Sequence, residues 1–204
     1  MGHLNLLKGS WTGKVGQTVG AKWKDKQTLR TYSKPSNPNT PEQQKVRSVF
    51  GDMTAFSALF ADIIKYDVSL DTRGQSVRNA IIQANKAQIS TGTFDKTALI
   101  INKGGLPNVT AFTADANSTS GKIEATFDVP PATNISAKAN IVVLAINETK
   151  KIAQAVASSL SASTAEVTFE CETGDKLDVY YWIIDKRGSA KVGSRSGYLA
   201  VTAV

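Results

Sequence analysis

The C-terminal half of the chain alternates apolar and polar residues over short stretches that are bounded by turn residues. A period of two is typical of strands that bury one face. It is clearest in three sets of alternate residues: Ile123, Ala125 and Phe127; Val167, Phe169 and Cys171; Leu177, Val179, Tyr181 and Ile183. Together with the turn signals, the pattern predicts seven strands and a β-sandwich over residues 97–204. The predicted strands are Val109–Ala116, Lys122–Asp128, Ala139–Asn147, Lys151–Ala157, Ala165–Glu170, Lys176–Asp185 and Lys191–Thr202.

Upstream of these strands the apolar spacing changes to three and four residues, which is typical of a helix. The apolar stripe consists of Val46, Val49, Met53, Phe56, Phe60 and Ile63. It predicts one helix of about 25 residues that begins at Pro41, with Thr40 as its N-cap. A second helix is predicted from Thr72 to Ser90, ended by Gly92. The stripe has two interpretations, the core of a helical hairpin over residues 41–96 or a face that binds another subunit.

Residues 1–40 are predicted to form an extended arm, followed by a proline-rich linker over residues 35–41. Apolar and polar residues alternate from Trp11 to Trp23, with glycines between them. A hairpin is predicted to turn near Asp25, where Trp23 could meet Tyr32 or Arg30 across the strands. With the two later regions, the predicted fold class is therefore α+β.

Charge is concentrated in the same arm. Residues 1–50 contain nine Lys or Arg against two acidic residues, a net charge of +7, whereas the remaining residues balance. Three interpretations follow: contact with a neighbouring subunit, nucleic-acid binding, or the solvated face of a hairpin that packs on its own domain. The candidate contact residues are Trp11, Lys14, Lys22, Trp23, Lys24, Lys26, Arg30, Tyr32 and Lys34.

The residues that catalysis needs are sparse. His3 is the single histidine and Cys171 the single cysteine, so neither a catalytic triad nor a cysteine–histidine metal site is expected. We therefore predict no enzyme activity, no cofactor and no small-molecule substrate. No apolar run approaches the length of about 18 residues that a membrane span needs, so no membrane partner is expected. The N-terminus has no signal-peptide pattern, which predicts synthesis in the cytoplasm.

Two segments resemble known families. The run Gly13-Lys14-Val15-Gly16, followed by Asn37-Pro38-Asn39-Thr40-Pro41-Glu42-Gln43, resembles the N-terminal region of an uncharacterised family of bacterial and phage genomes. This resemblance implies a protein associated with phages or mobile elements. The segment from Glu172 to Tyr181 resembles the corner of a fibronectin-III or immunoglobulin-like module, in which a Tyr hydroxyl binds back to the turn.

The function expected from these features is that of a structural component of a phage particle, in its capsid, its tail or the head–tail region. The arm and helices would bind other copies of the chain or other virion proteins, and the mature protein would reside in the virion after synthesis in the host cytoplasm. Two alternatives remain: a nucleic-acid-binding or packaging-associated protein that uses the basic arm, and a host-surface adhesion module that uses the sandwich.

Overall fold

The computed structural model describes residues 3–5, 10–23, 26–34, 39–72, 74–131, 134–187 and 190–204. The chain divides into two compact units, residues 1–40 and residues 41–204. In the described residues, the elements of the first unit are all strands, whereas the second unit contains both helices and strands. The boundary predicted at residue 97 lies inside the second unit. It separates the helices from the strands of that unit and does not divide the unit into two compact parts.

The first unit is a four-stranded antiparallel sheet with the strands in chain order. Its strands are β1 (His3–Asn5), β2 (Ser10–Val15), β3 (Thr18–Trp23) and β4 (Lys26–Thr31). The segment from Trp11 to Trp23, predicted as one extended stretch, is two strands joined by a tight turn. Gly16 takes a φ of +58° there, which glycine adopts without steric cost.

The predicted hairpin between residues 22 and 32 is present as β3 and β4. Its cross-strand pairing differs from the prediction: Trp23 lies opposite Lys26, and Arg30 lies opposite Val19. A connection of only two residues fixes this register, since the strands must pair immediately on both sides of the turn. Trp23 is therefore not the cross-strand partner of Arg30 or Tyr32.

The second unit begins with helix α1 (Pro41–Ala58), which starts where the sequence predicts but has 18 residues instead of about 25. After it the chain continues in tight turns, with the amide of Ile63 donating to the carbonyl of Phe60 at 3.0 Å. The apolar spacing survives this change, because Phe60 and Ile64 remain fully buried. The pattern thus predicts burial beyond Ala58 but not the end of the α-helix.

The second predicted helix is divided into α2 (Val77–Ala84) and α3 (Lys86–Thr91). Asn85 lies at the break, where its side-chain amide donates to the carbonyls of Ile81 and Ile100, both at 2.8 Å. The predicted stop at Gly92 is confirmed by its left-handed conformation, with a φ of 71°.

Two further sheets complete the second unit. One contains three strands in the order β5-β6-β9, and the other joins β11, β10, β7 and β8, with β12 also paired to β10. The strands are β5 (Thr110–Asn117), β6 (Lys122–Asp128), β7 (Asn140–Asn147), β8 (Ile152–Ser159), β9 (Thr164–Thr168), β10 (Lys176–Arg187), β11 (Ala190–Gly193) and β12 (Gly197–Thr202).

One strand prediction is corrected, because the stretch Lys191–Thr202 is β11 and β12 instead of a single strand. The two pair with successive parts of the long strand β10. Between them Ser194 still bonds to β10: its amide donates to the carbonyl of Ile183 at 3.0 Å, and its hydroxyl accepts the amide of Ile183 at 2.8 Å. The described residues of this region therefore contain eight strands and not seven.

The second unit has three layers. One apolar cluster lies between the two sheets and includes Ile123, Ile141 and Val179. A second cluster lies between the five-stranded sheet and the helices, and it includes Phe60 and Trp182. The larger sheet is covered on both sides, which explains why β7 is an almost continuous apolar run.

The predicted tyrosine corner is not formed by Tyr180. Its hydroxyl donates to the carbonyl of Lys96 at 3.0 Å, towards the helical layer. The turn before β10 is held instead by Asp175, whose carboxylate accepts the amide of Glu172 at 3.0 Å and the side chain of Asn147 at 2.7 Å. A partly exposed carboxylate therefore makes the turn contacts that were expected of a tyrosine hydroxyl.

Candidate functional site

The N-terminal sheet has two chemically different faces, which follow from its register. Lys14 lies opposite Val19, and Val19 lies opposite Arg30, so these three residues share one face. Lys26 returns to the same face, because it is four residues from Arg30 along β4. We call this surface, with Lys14, Lys26 and Arg30, the basic face.

The opposite face of the sheet is a mixture of polar, small and large apolar residues. Val15, Gly20 and Leu29 lie on it, together with Lys22, which pairs with Gln27. Val15 is 55% exposed and Leu29 is 58% exposed. Large apolar side chains of this sheet therefore face solvent.

The electrostatics of the first unit are one-sided. Residues 1–40 include seven basic residues and one acidic residue, Asp25. The ammonium group of Lys14 lies 3.7 Å from the centre of the Tyr32 ring, a favourable cation–π contact. No carboxylate belongs to the residues described in this unit, so the positive charges of the basic face have no acidic partner there.

Strand β4 forms one edge of the sheet, and all six of its residues are exposed. The amide of Tyr32 donates inward to the carbonyl of Gln17 at 2.6 Å. Since amides of an antiparallel strand point alternately to its two sides, those of Thr31 and Leu29 point outward. The edge therefore offers a row of backbone groups to another strand.

The structure brings together only some of the predicted contact residues of the arm. Lys14, Lys26, Arg30 and Tyr32 form a group, whereas Lys22 lies on the other face. Lys34 is exposed beyond the end of β4. Lys24 lies outside the described residues. Trp11 and Trp23 are described only through their backbones in β2 and β3, and their side chains lie outside the described part of the chain.

The helix face predicted for assembly lies mainly inside its own chain. Val49, Met53, Phe56 and Phe60 are buried, and the last three belong to the apolar cluster between the helices and the larger sheet. Val46 and Ile63, at the ends of the stripe, are 38% and 40% exposed. Four of the six residues are therefore core residues, and only the outer two remain available to a partner.

A polar cluster around Lys96 was not identified from the sequence. The ammonium group of Lys96 forms ion pairs with Glu148 at 2.5 Å and with Asp178 at 3.4 Å. The hydroxyl of Tyr198 donates to Asp178 at 2.8 Å. Burial, together with this hydrogen bond to a carboxylate, raises the pKa of Tyr198 to about 12.

The Lys96 cluster lies beside a cavity of about 480 Å³ whose apolar wall includes Phe56, Leu59 and Phe94. Its charged groups are paired with one another, and Tyr198 keeps its proton at neutral pH. The arrangement therefore joins the helical layer to the sheet and presents no activated base or nucleophile. No motif marks these residues, because they meet only after folding.

A second polar cluster, centred on the fully buried Asn102, ties the segment before β5 to β11. The Asn102 carbonyl oxygen accepts the amide of Ser69 at 2.6 Å, and its amide donates to the carbonyl of Ser194 at 2.8 Å. The oxygen and the nitrogen of the Asn102 side-chain amide therefore both form hydrogen bonds with residues that are distant in the sequence.

Within the described ranges, no cluster of three or more His, Cys, Asp or Glu side chains is placed to hold a metal ion. Cys171 is a free, buried thiol, and burial raises its pKa. Of the helices described, none is long and apolar enough to cross a membrane.

Three helices and three sheets, counted over the described residues, define a mixed α/β protein that is mostly β and has a sandwich-like core. The chain belongs to a family of unknown function, DUF6266, whose sequence profile matches residues 9–200. The match includes most of the N-terminal sheet as well as the second unit. No curated protein sequence matches the chain.

Two solved structures are similar over about half of the chain. One is a family 76 glycoside hydrolase from a bovine Bacteroides thetaiotaomicron strain, with a TM-score of 0.36, 12% identity and coverage of 48% of this chain. The chain spans only 20% of that hydrolase. The other is a computer-redesigned β-sandwich protein, with a TM-score of 0.32, 15% identity and coverage of 49% of this chain and 94% of the other.

Proposed function

We propose that the protein is a structural subunit of a phage-related particle and that it assembles with other copies of itself through its N-terminal sheet. The observation that carries this proposal is the edge position of β4, which among the described strands pairs with β3 alone and whose six residues are all exposed. Assembly through such an edge adds a strand from a neighbour and satisfies the outward backbone groups.

The exposed apolar residues of the same sheet support this proposal. A small sheet gains stability when one of its faces is covered, yet Val15 and Leu29 are more than half exposed. Full burial of a side chain of this size is worth about 1.5–3 kcal/mol, so covering the exposed half of each would gain about 1 kcal/mol or slightly more. A neighbouring subunit could cover both residues.

Helix α1 offers a second, smaller contact. Val46 and Phe50 are one helical turn apart, and they are 38% and 48% exposed. Their side chains extend the buried stripe to the surface of the second unit. In an assembled particle they would pack against another subunit or another virion protein.

In this proposal the sandwich is an immunoglobulin-like or fibronectin-III-like body. Its first, second and fifth strands (β5, β6 and β9) form one sheet, and its third, fourth and sixth strands (β7, β8 and β10) belong to the other. This division between two packed sheets supports an immunoglobulin-like topology, with the last strand broken into β11 and β12. Such a body spaces and presents subunits without needing a catalytic centre.

The substitution Thr31→Pro tests edge assembly. It removes an outward amide of β4 and leaves intact the inward amide that pairs with β3, so the sheet itself should persist. Thr31→Ala is the matched control, since it changes the same side chain and keeps the amide. Light scattering coupled to size-exclusion chromatography would measure the mass of both variants and the unaltered protein.

We expect oligomers of the unaltered protein and of Thr31→Ala, and monomers of Thr31→Pro with unchanged circular dichroism. A monomeric unaltered protein at high micromolar concentration, or Thr31→Pro oligomers of normal mass, would contradict edge assembly. The association with a particle is tested separately, by mass spectrometry of purified particles from cells that express the chain.

A further inference from the structure

We propose that the basic face of the N-terminal sheet binds the phosphate backbone of nucleic acid without sequence preference. This inference goes beyond assembly, because it uses a face of the sheet and not its β4 edge. The described residues that carry it are Lys14, Lys26 and Arg30, all exposed on one face and accompanied by Tyr32.

The spacing of these cations suits a row of phosphates. Lys14 and Arg30 are two strands apart, a backbone separation of about 10 Å, and Lys26 and Arg30 are about 14 Å apart along β4. One strand of DNA carries a charge for about every 3.4 Å of helix axis. The patch therefore spans about three to four phosphates.

The charges of the basic face contrast with those of the second unit. There, Lys122 is paired with Glu166 at 2.8 Å and Lys186 with Asp67 at 2.9 Å. Charges of both signs are mixed in this way on an ordinary soluble surface. The basic face has no described carboxylate, so its charge is complementary to a polyanion.

The other residues of the basic face favour nucleic acid over protein or membrane. Thr12 and Gln17 are exposed on it and can donate hydrogen bonds to phosphate oxygens. By register, Val19, Ala21 and Trp23 are the apolar residues of this face. Cations that alternate with an aromatic residue are typical of surfaces that bind single or double strands through their phosphates and bases.

The experiment compares two variants that each remove one positive charge from the same sheet. Arg30→Gln removes a charge from the basic face, whereas Lys22→Gln removes one from the opposite face and is the matched control. Fluorescence anisotropy with a mixed-sequence duplex of about 20 base pairs would measure affinity from about 50 to 200 mM salt. Lys26→Gln serves as a second test, and circular dichroism verifies the fold of each variant.

With three phosphate contacts, affinity should fall about 40-fold over this fourfold rise in salt. Arg30→Gln removes one contact, so its affinity should fall only about 12-fold over the same salt range. The affinity of Lys22→Gln should still fall about 40-fold. The proposal is overturned by three results: no binding at about 50 mM salt, an equal reduction in both variants, or binding to phosphatidylserine vesicles without binding to the duplex. Chromatographic mass separates the two proposals, because Arg30→Gln should assemble normally whether or not it binds the duplex.

Discussion

Gly104 and Gly193 bring two backbones into direct contact at the point where the chain approaches β11. A Cβ atom on Gly104 would lie 1.8 Å from the carbonyl oxygen of Gly193, and this oxygen accepts the amide of Leu106 at 3.1 Å. Glycine is therefore required for its lack of a side chain, and the neighbouring Gly105 has open space around it.

Gly104→Ala should lower the free energy of unfolding by about 3 kcal/mol or more, because the new methyl group forces the two segments apart. Gly105→Ala, one residue away, should change it by about 1 kcal/mol or less and in the stabilising direction, through the entropy of the unfolded chain. Urea unfolding of both variants measures this difference. Equal stabilities would show that the close approach is absent in solution.

Asp185 is a buried carboxylate that connects β10 to Ser136. Burial alone would raise its pKa, but hydrogen bonds from Ser136 and Arg187 outweigh burial and lower the pKa below its ordinary value. The Ser136 hydroxyl donates at 2.6 Å and the Arg187 guanidinium at 2.8 Å. The charged carboxylate is therefore the form that stabilises the fold.

Because this pKa is lower in the folded than in the unfolded chain, its contribution is complete above about pH 4 and is lost as pH falls through the folded pKa. Asp185→Asn should cost about 2 kcal/mol at neutral pH and should weaken the acid dependence of unfolding. Urea titrations between neutral pH and about pH 3 compare the two proteins. Parallel curves throughout this range would rule out the role of Asp185.

Residue-level contacts such as those of Asn102 and Lys96 could not be predicted from the sequence. Asn102 binds Ser69 and Ser194, which are 33 and 92 residues away. Neither spacing nor composition marks such partners, since they are adjacent only in the folded chain.

At the scale of elements, helix α1 shows which apolar residues stabilise the fold and which remain available. Phe56 is buried, with its ring 5.6 Å from that of Phe60 and 5.7 Å from that of Phe94. Phe50 in the same helix is 48% exposed. The two phenylalanines thus have different environments although they belong to the same helix and lie six residues apart.

Phe56→Ala should cost about 3–5 kcal/mol of unfolding free energy, because it removes a fully packed ring. Phe50→Ala should change the free energy by about 0.5 kcal/mol or less. Thermal or urea unfolding measures both. A large loss for Phe50→Ala in the monomer would mean that this ring is covered by its own chain.

The strand elements were predicted more accurately than the helices. Period-two alternation located β6 at Lys122–Asp128 to the residue, because one face of that strand is buried and the other is solvated. The break between β11 and β12 could not be recognised from the alternation of apolar and polar residues. Ser194, at the break, is a polar residue that is fully buried because it forms hydrogen bonds inside the fold. The helices were predicted less accurately because the end of α1 at Ala58 and the break between α2 and α3 at Asn85 depend on contacts with other parts of the fold.

At the scale of the whole molecule, the second unit has its own core. Two apolar clusters occupy the spaces on either side of the larger sheet, and their buried residues all belong to residues 41–204. The second unit therefore has the hydrophobic core that a domain needs in order to fold cooperatively on its own.

A chain of residues 41–204 should therefore fold alone and unfold cooperatively, with a midpoint within about 5 °C of the corresponding transition in the full chain. Circular dichroism and calorimetry measure both transitions. A non-cooperative transition of the shortened chain would show that residues 1–40 are part of its folding unit.

The candidate surface was only partly predictable. Composition located the positive charge in the arm, but the division of that charge depends on register: Lys22 and Arg30 face opposite sides of one sheet. A shift of one residue in pairing would exchange the two faces. Sequence periodicity also could not separate the buried Met53 from the exposed Val46, because both obey the same spacing.

The layered core has a consequence for synthesis on the ribosome. Trp182 donates its indole N–H to the carbonyl of Asp67 at 2.7 Å, across a separation of 115 residues. At about 5–20 residues per second, β10 follows the helices after about 6 to 23 seconds. Strand β7 is made earlier, but until β10 follows, Met53 and Phe60 lack Trp182 and the other β10 residues of their cluster. Part of the apolar surface of the nascent helical segment therefore stays uncovered during this interval, and chaperones could bind it.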